Sequence, residues 1–534
     1  MTRLMPHLLV APVLIPMCAA GVMLVLAEQR RPLKLILGMV AAVLGVVVSA
    51  SLLAWVHVHG PVAYFPGNWP PPFGIALAVD RFSAAMLLLA WVLGLAAFVF
   101  SSARWHRAGV HFPALFQVEL MGLSGAFLTA DVFNLFVFFE ITLAASYGLL
   151  LHGSGTSRVR ASVHYVAMNL AASSLFLIGV AVIYGVTGTL NMAALAARVS
   201  PAVTANQHLI DAGASILAIA FLIKAAAWPL NFWLVPAYSA ATPPVAAVFA
   251  LLTKVGIYAL VRLWTLLFAG GPLAGFGANA LLAFGLVTAV LAGLGMIASA
   301  RLAVQVACAV IVSAGTLLAA LGLGDELALG SALFYLVASV LATGVFFLLV
   351  DLIERWRSGE TVVEHAPFLT PTLEADDLNL DDEEQPLVGW PLNPSTALLA
   401  LAFLLCTLLV AGLPPLPTFL GKLGMLSAAL EEHALGARAW LFVGVVLGCS
   451  QLTLVALTRT GIRTFWAGKR HEPQPVRAAE AVPVVVLLLL CVAMTTTAGT
   501  LMTFARATAR SLHDPAEYVG TVLAAEAPAP GEHP

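Results

Sequence analysis

Four ionisable side chains sit in stretches that otherwise hold almost only apolar residues. They are Glu140 in NLFVFFEITLAASYG, Lys224 in FLIKAAAWPLNFWL, Lys254 in FALLTKVGIYALVRLW and Lys422 in PPLPTFLGKLGML. A charge at the centre of a membrane-spanning helix costs roughly 2.5–3.5 kcal/mol, so such residues face a bundle interior or a water path. Three lysines and a glutamate form a set that can pass protons. A desolvated ammonium releases its proton more readily than a hydrated one, and a nearby carboxylate opposes that release. Arginine could not do this, because it stays protonated. The structural alternative is that Glu140 only pairs with a neighbouring helix.

Six further residues are secondary candidates. Glu119 would pair with another helix or with a partner subunit. Arg262 would snorkel to the outside face, and His164 would cap a helix or sit at the interface, with a relay role as the alternative for each. Tyr335, Ser339 and Thr343 lie in SALFYLVASVLATGVFFLL; hydroxyls hold water but store no proton at neutral pH. Asp131 falls at a short turn between two spans.

Two of the lysines stand beside breaks. Pro229 follows Lys224, and GLPPLPTF at 412–419 precedes Lys422. Proline removes a backbone donor and frees a carbonyl one turn earlier. Irregular backbone at membrane depth is tolerated where it is buried in protein or lines a wet cavity. Two broken helices in separate halves of a chain suggest internal repeats around a transport site.

The elements that must carry these residues follow from composition. Of 534 residues, 61% are hydrophobic and 10% charged, against about 25% charged in soluble proteins. Mean hydropathy is +0.98. Apolar runs of about 20 residues, enough to cross about 30 Å of hydrocarbon, recur at 7–27, 33–56, 82–101, 112–130, 131–151, 163–187, 209–240, 242–268, 278–298, 302–322, 328–350, 393–430, 437–459 and 480–502. The reading is an all-α polytopic membrane protein with about 14 transmembrane helices. β-Barrel strands would be shorter and alternating. The first run is too long for a leader's apolar stretch and is followed by charges, so it reads as a span.

Lysine and arginine outside the spans concentrate in alternate loops, which places both termini outside by the positive-inside tendency. The net charge of −2 implies no nucleic-acid partner. Cys18, Cys308, Cys406, Cys449 and Cys491 stand singly and read as core or lipid-facing residues. With no phosphate-binding loop and no zinc-ligand spacing, no cofactor is implied. EADDLNLDDEEQ at 374–385 reads as a solvated inside linker, with docking to a basic surface as the alternative.

At these residues the chain resembles the antiporter-like membrane subunits shared by respiratory complex I and the multisubunit Mrp/Pha/Mnh cation/proton antiporters. LIKAAAWPLNFWLVPAYSAATPPVAAVFALLTKVGIYAL is the most specific stretch, with Asn231 at the family's variable His/Asn position. The chain is most similar to the D subunits of the antiporters. The resemblance implies a glutamate in the fifth helix, lysines in a broken seventh and in the eighth, and a lysine in a broken twelfth, matched here by Glu140, Lys224, Lys254 and Lys422. It also implies two inverted five-helix repeats and proton transfer along a hydrated axis.

The expected divisions are 1–111 (helices one to three), 112–268 (first repeat), 278–459 (second repeat, with an acidic cytoplasmic loop at 351–392), 480–502 (helix fourteen) and 503–534 (a flexible tail). One departure is that the helix at 328–350 lacks the histidine or lysine that many relatives carry. The leading expectation is a proton-translocating subunit of a Na⁺(K⁺)/H⁺ antiporter in a bacterial inner membrane, a transporter and not an enzyme. Its partners would be other membrane subunits, protons, monovalent cations and the bilayer. The alternatives are a proton-pumping subunit of a quinone oxidoreductase or membrane-bound hydrogenase, and a scaffold that transports nothing.

Overall fold

The computed structural model describes residues 5–69, 74–105, 109, 111–153, 155–268, 275–358, 394–432, 436–465 and 476–524. In chain order the helices are α1 (Met5–Leu8), α2 (Ala11–Val25), α3 (Arg31–His59), α4 (Arg81–Ala103), α5 (Phe112–Leu128), α6 (Val132–Leu150), α7 (Thr156–Thr187), α8 (Met192–Lys224), α9 (Leu234–Ala240), α10 (Pro243–Phe268), α11 (Ala278–Ala298), α12 (Leu302–Leu323), α13 (Glu326–Ser358), α14 (Pro394–Ala411), α15 (Pro417–Glu432), α16 (Ala437–Phe465), α17 (Ala478–Thr496), α18 (Ala498–His513) and α19 (Ala516–Ala524). A short antiparallel pair, β1 (Val62–Tyr64) and β2 (Leu77–Val79), lies between α3 and α4.

Eleven of the described helices are long and apolar enough to cross a membrane, and α2, α5 and α14 are shorter apolar helices beside them. The expected seventh span is divided into the second part of α8, beyond a kink at Asn206, and α9. The expected twelfth is divided into α14 and α15.

Polar caps define several helix starts. Asp80 accepts from the Ser83 N–H at 2.9 Å while Ser83 Oγ accepts from the Asp80 N–H at 2.8 Å. Asp131 accepts from the Asn134 N–H at 2.8 Å, and Asn191 accepts from Ala193 and Ala194. Each satisfies donors that a helix start otherwise leaves unpaired. Asp131 is therefore the N-cap of α6.

The most central helices are α10, α12 and α13, in each of which 94% of the most apolar stretch is buried; α3, α16 and α17 bury only 33% of theirs. Apolar residues that face outward, such as Leu447 on α16 and Leu489 on α17, make a surface suited to lipid. The backbones of α11 and α12 approach closely. A Cβ on Gly285 would lie 2.3 Å from the Ala319 nitrogen and 2.7 Å from the Gly315 carbonyl oxygen. Small residues at such crossings let helices pack without a hydrophobic driving force. Gly285→Ala is expected to cost about 1–3 kcal/mol, read as a lower melting temperature of the purified assembly.

Two expected divisions are corrected. The run at 480–502 is not one helix, because α17 ends at Thr496 and α18 starts at Ala498. Residues 503–524 are not a flexible tail: α18 and α19 are helices whose Leu512, Tyr518 and Val522 are buried. The amphipathic alternation of α18 lets it lie along the bundle. The acidic loop also begins later than expected, because α13 continues to Ser358, where Asp351 pairs with Arg355 at 3.0 Å and Arg355 with Glu480 at 3.0 Å. The cluster at 374–385 and the segment 525–534 lie outside the described residues.

Candidate functional site

Lys224 is the last helical residue of α8. Beyond it the chain closes on itself. The Ala225 N–H donates to Phe221 at 2.8 Å and the Ala227 N–H to Leu222 at 2.9 Å, with Ala226 between them at φ +53°. The end of α14 has the same geometry. The Gly412 and Leu413 N–H groups both donate to Leu408, at 3.0 and 3.1 Å, and Gly412 lies at φ +74°. A left-handed residue commonly ends a helix, and glycine adopts it without steric cost; Ala226 does not have that freedom. Each break also holds a cis peptide, Trp228–Pro229 in the first and Pro414–Pro415 in the second.

Lys224 is 8% exposed, and its ammonium lies 5.0 Å from the centre of the Phe139 ring on α6. Phe139 immediately precedes Glu140 in α6. Glu140 accepts a short hydrogen bond from the Ser173 hydroxyl of α7. The structure thus places Lys224 against the residue that precedes Glu140.

Lys254 is fully buried on α10. Its ammonium donates to the Val310 carbonyl at 3.1 Å and to Ser313 Oγ at 2.5 Å, both on α12. Gly256, two residues on, is what seats α10 against the first break: a Cβ there would lie 2.9 Å from the Ala225 nitrogen and 3.0 Å from the Phe221 carbonyl oxygen.

Lys422 is 5% exposed on α15. Its ammonium reaches back to the carbonyl of Ala411, the last residue of α14, at 2.9 Å, and to Ser450 Oγ on α16 at 2.7 Å. A cation there complements the unpaired carbonyls and the negative end of the helix dipole. The same ammonium lies 5.9 Å from the centre of the Tyr335 ring.

Ser313, Tyr335, Ser339, Thr343, Thr418 and Thr453 line one small cavity of about 10 Å³, close to the room one water requires. Ser313 binds Lys254 and Tyr335 faces Lys422. The helix that lacks a histidine or lysine therefore places Tyr335, Ser339 and Thr343 on the wall of this cavity, where the Ser339 and Thr343 hydroxyls donate to carbonyls of their own helix.

The other candidates fall elsewhere. His164 is exposed on α7, with Nδ1 at 3.2 Å from its own helix's Arg160 carbonyl, and does not face the bundle interior. Arg262 does not snorkel. It is 5% exposed and donates twice to Asp80, at 2.6 Å each, with the rings of Phe82, Tyr258 and Tyr518 around it. Burial alone would push the Asp80 carboxyl up; the charge and hydrogen bonds of Arg262 outweigh it and hold the carboxyl below its ordinary value. Glu119 is fully buried on α5 and finds no donor among the described residues.

Asp80, Ser173, Ser313 and Ser450 are not legible as site residues from the sequence. Asp80 has a local signal, its capping spacing to Ser83. For the serines the only signal is a hydroxyl in an apolar run.

The family model described as "NADH:quinone oxidoreductase/Mrp antiporter, TM" matches residues 129–373. The chain is 46% identical to a probable K⁺/H⁺ antiporter D subunit of Rhizobium meliloti (strain 1021), over 98% of this chain and 99% of that one. It is 31% identical to a Na⁺/H⁺ antiporter D subunit of Alkalihalophilus pseudofirmus, over 97% and 100%. Its fold matches a chain in the structure of the Mrp complex from Dietzia sp. DQ12-45-1b with a TM-score of 0.83 and 26% identity, over 97% and 99%.

Proposed function

We propose, for a chain that belongs to the D-subunit family of multisubunit monovalent cation/proton antiporters, that it relays protons through Glu140, Lys224, Lys254 and Lys422 within a Na⁺(K⁺)/H⁺ antiporter. It is a multi-pass membrane protein and a transporter subunit. Glu140 tunes Lys224, Lys254 carries the proton across the middle of the bundle, and Lys422 delivers it to the far side or to a neighbouring subunit. One observation carries this reading. Among the described residues, the hydrogen-bond partners of Lys254 and Lys422 are neutral hydroxyls and carbonyls, whereas the nearby Arg262 is locked to Asp80. An amine with neutral partners can lose its proton without stranding a buried counter-charge.

The passage between Lys254 and Lys422 runs through the hydroxyl-lined cavity. Hydroxyls conduct a proton by accepting one on oxygen and releasing another, so that none is stored there. Replacing Ser339 by alanine together with Thr343 by valine removes two of these groups at nearly constant volume. Antiport is expected to fall about tenfold, equivalent to about 1.4 kcal/mol of barrier, with assembly unchanged, as measured by cation-induced pH changes in everted membrane vesicles.

The matching geometry of the breaks after α8 and α14 supports two repeats, 112–268 and 278–459, each built around one broken helix. The distribution of basic residues supports termini on the outer side of a bacterial inner membrane. Gentle solubilisation and purification of the native assembly tests the function. Small hydrophobic subunits and a second large antiporter-like chain are expected to co-purify, with Na⁺- or K⁺-driven proton exchange after reconstitution. Flavin or iron–sulfur subunits in the same particle, with proton movement that requires an electron donor, would overturn it.

A further inference from the structure

Glu119 is the fully buried carboxyl that the relay above leaves unused. Both its oxygens lack a hydrogen-bond donor among the described residues. It is not isolated from polar groups, however. Tyr165 of α7 and Tyr238 of α9 are buried in the same part of the bundle. The Tyr165 hydroxyl is 2.8 Å from Ser146 Oγ, and the Tyr165 ring centre is 5.4 Å from that of Tyr147, both partners being on α6. Trp233 stands 5.3 Å from Tyr165 and 6.2 Å from Tyr238, ring centre to ring centre. Tyr147 Oη, Tyr238 Oη and Trp233 Nε1 also find no partner among the described residues. Buried polar groups are nearly always paired, so several such groups around one carboxyl make a site built for water and protons.

The register of α5 against α6 places this cluster. Gly122 abuts Thr142, Gly125 abuts Phe138 and Gly148 abuts Leu115, so Glu119 lies level with Ala144 and Ala145, next to Ser146. That is a little over one helical turn, or roughly 7 Å, from Glu140, toward the first turn of α7, which carries Arg158 and Arg160. Tyr147 follows Glu140 by seven residues, two turns along the same face of α6.

We infer that Glu119 is a second proton-binding carboxyl of this chain, joined to Glu140 through Tyr165, Ser146, Tyr147 and intervening water; this rests on the relay reading of Glu140 and Lys224. The transfer balances without electrons changing hands. The Glu119 O–H bond breaks, and each hydroxyl in turn accepts one proton on oxygen and releases another. The Glu140 carboxylate ends with a new O–H bond, and the tyrosines and serine end as they began.

The test uses the complete antiporter assembly, carrying Glu119→Gln, Tyr165→Phe or Tyr147→Phe, with two readouts. Infrared difference spectra follow the carbonyl stretch of a protonated carboxylic acid on acidification, and everted vesicles report antiport. Glu119→Gln is expected to lose one such band and to lower antiport about tenfold or more, within the range of a lost acid–base group. Tyr165→Phe is expected to keep the band and slow antiport. Wild-type antiport in Glu119→Gln, or an unchanged set of bands, would overturn the inference. If Glu119→Gln does not assemble, the half-buried Tyr147 decides the matter. A clear fall in antiport in Tyr147→Phe supports the path, and a wild-type rate overturns it. The infrared band does not depend on Lys224, so failure of this inference is separable from failure of the relay reading.

Discussion

Antiport is expected to vanish when Lys224 is replaced by alanine, while the assembly remains intact. Lys224 ends α8 at the first break, against Phe139, the residue that precedes Glu140. Alanine leaves that carboxylate with no ammonium to exchange a proton with. A loss on the order of 100-fold or more, about 2.7 kcal/mol of barrier, should appear in everted vesicles, with normal subunit composition by mass spectrometry. Lys224→Arg sharpens the result. A guanidinium keeps the positive charge but does not give up its proton. An inactive arginine variant means that proton release is required. An active one would mean that Lys224 supplies only a fixed charge, and the relay would be wrong. The scaffold alternative predicts the opposite pattern, in which assembly suffers and flux per assembled particle does not.

The second large effect is on stability. Arg262→Met removes the partner of Asp80 at the end of α10. The pair is buried and doubly hydrogen-bonded, with Tyr518 of α19 over the guanidinium. Removing one member of a buried pair strands the other charge, at a cost of about 3–5 kcal/mol, read as a lower melting temperature and release of α19 to proteolysis. The double variant Arg262→Met, Asp80→Asn should recover much of the loss, because no buried charge remains. The pH dependence follows from the direction of the Asp80 shift. A carboxyl held below its ordinary value contributes its stability above the unfolded value near 3.8 and loses it as pH falls through the folded one. In Arg262→Met burial acts without its counterweight and raises the carboxyl, so the gap should be widest at neutral pH, begin to narrow in mild acid as the stranded carboxyl is protonated, and narrow further in strong acid as the wild-type pair is lost. A variant as stable as wild type would show that the pair contributes nothing net.

How far the chain could be read without coordinates depended on the range of the interaction involved. Continuous apolar runs decide helix and membrane class residue by residue, because each buried peptide group must find its hydrogen bond within its own helix. The breaks were legible for a related reason: Pro229 and the prolines at 414, 415 and 417 act on the turn beside them, whatever the neighbouring helices do. Glu140, Lys224, Lys254 and Lys422 stood out because a charge in an apolar run is costly wherever the helix sits.

What the sequence could not determine was the direction in which each helix faces and what meets it there. His164 and Tyr165 are adjacent in the chain, yet the histidine is exposed and the tyrosine buried against Ser146. Arg262 had the composition of a snorkelling residue until Asp80, 182 positions away, was placed against it. The hydroxyl residues of α13 share a cavity with Ser313 and Thr418 only because α12 and α15 pack against the same face. Residues 503–524 carry too little continuous hydrophobicity to announce a span, and their order comes from packing on the bundle. Apolar length, proline and buried charge are written locally and could be read from the chain alone. Helix azimuth, ion-pair partners and the shape of the space between lysines arise from contacts across the bundle, and only the tertiary structure decided them.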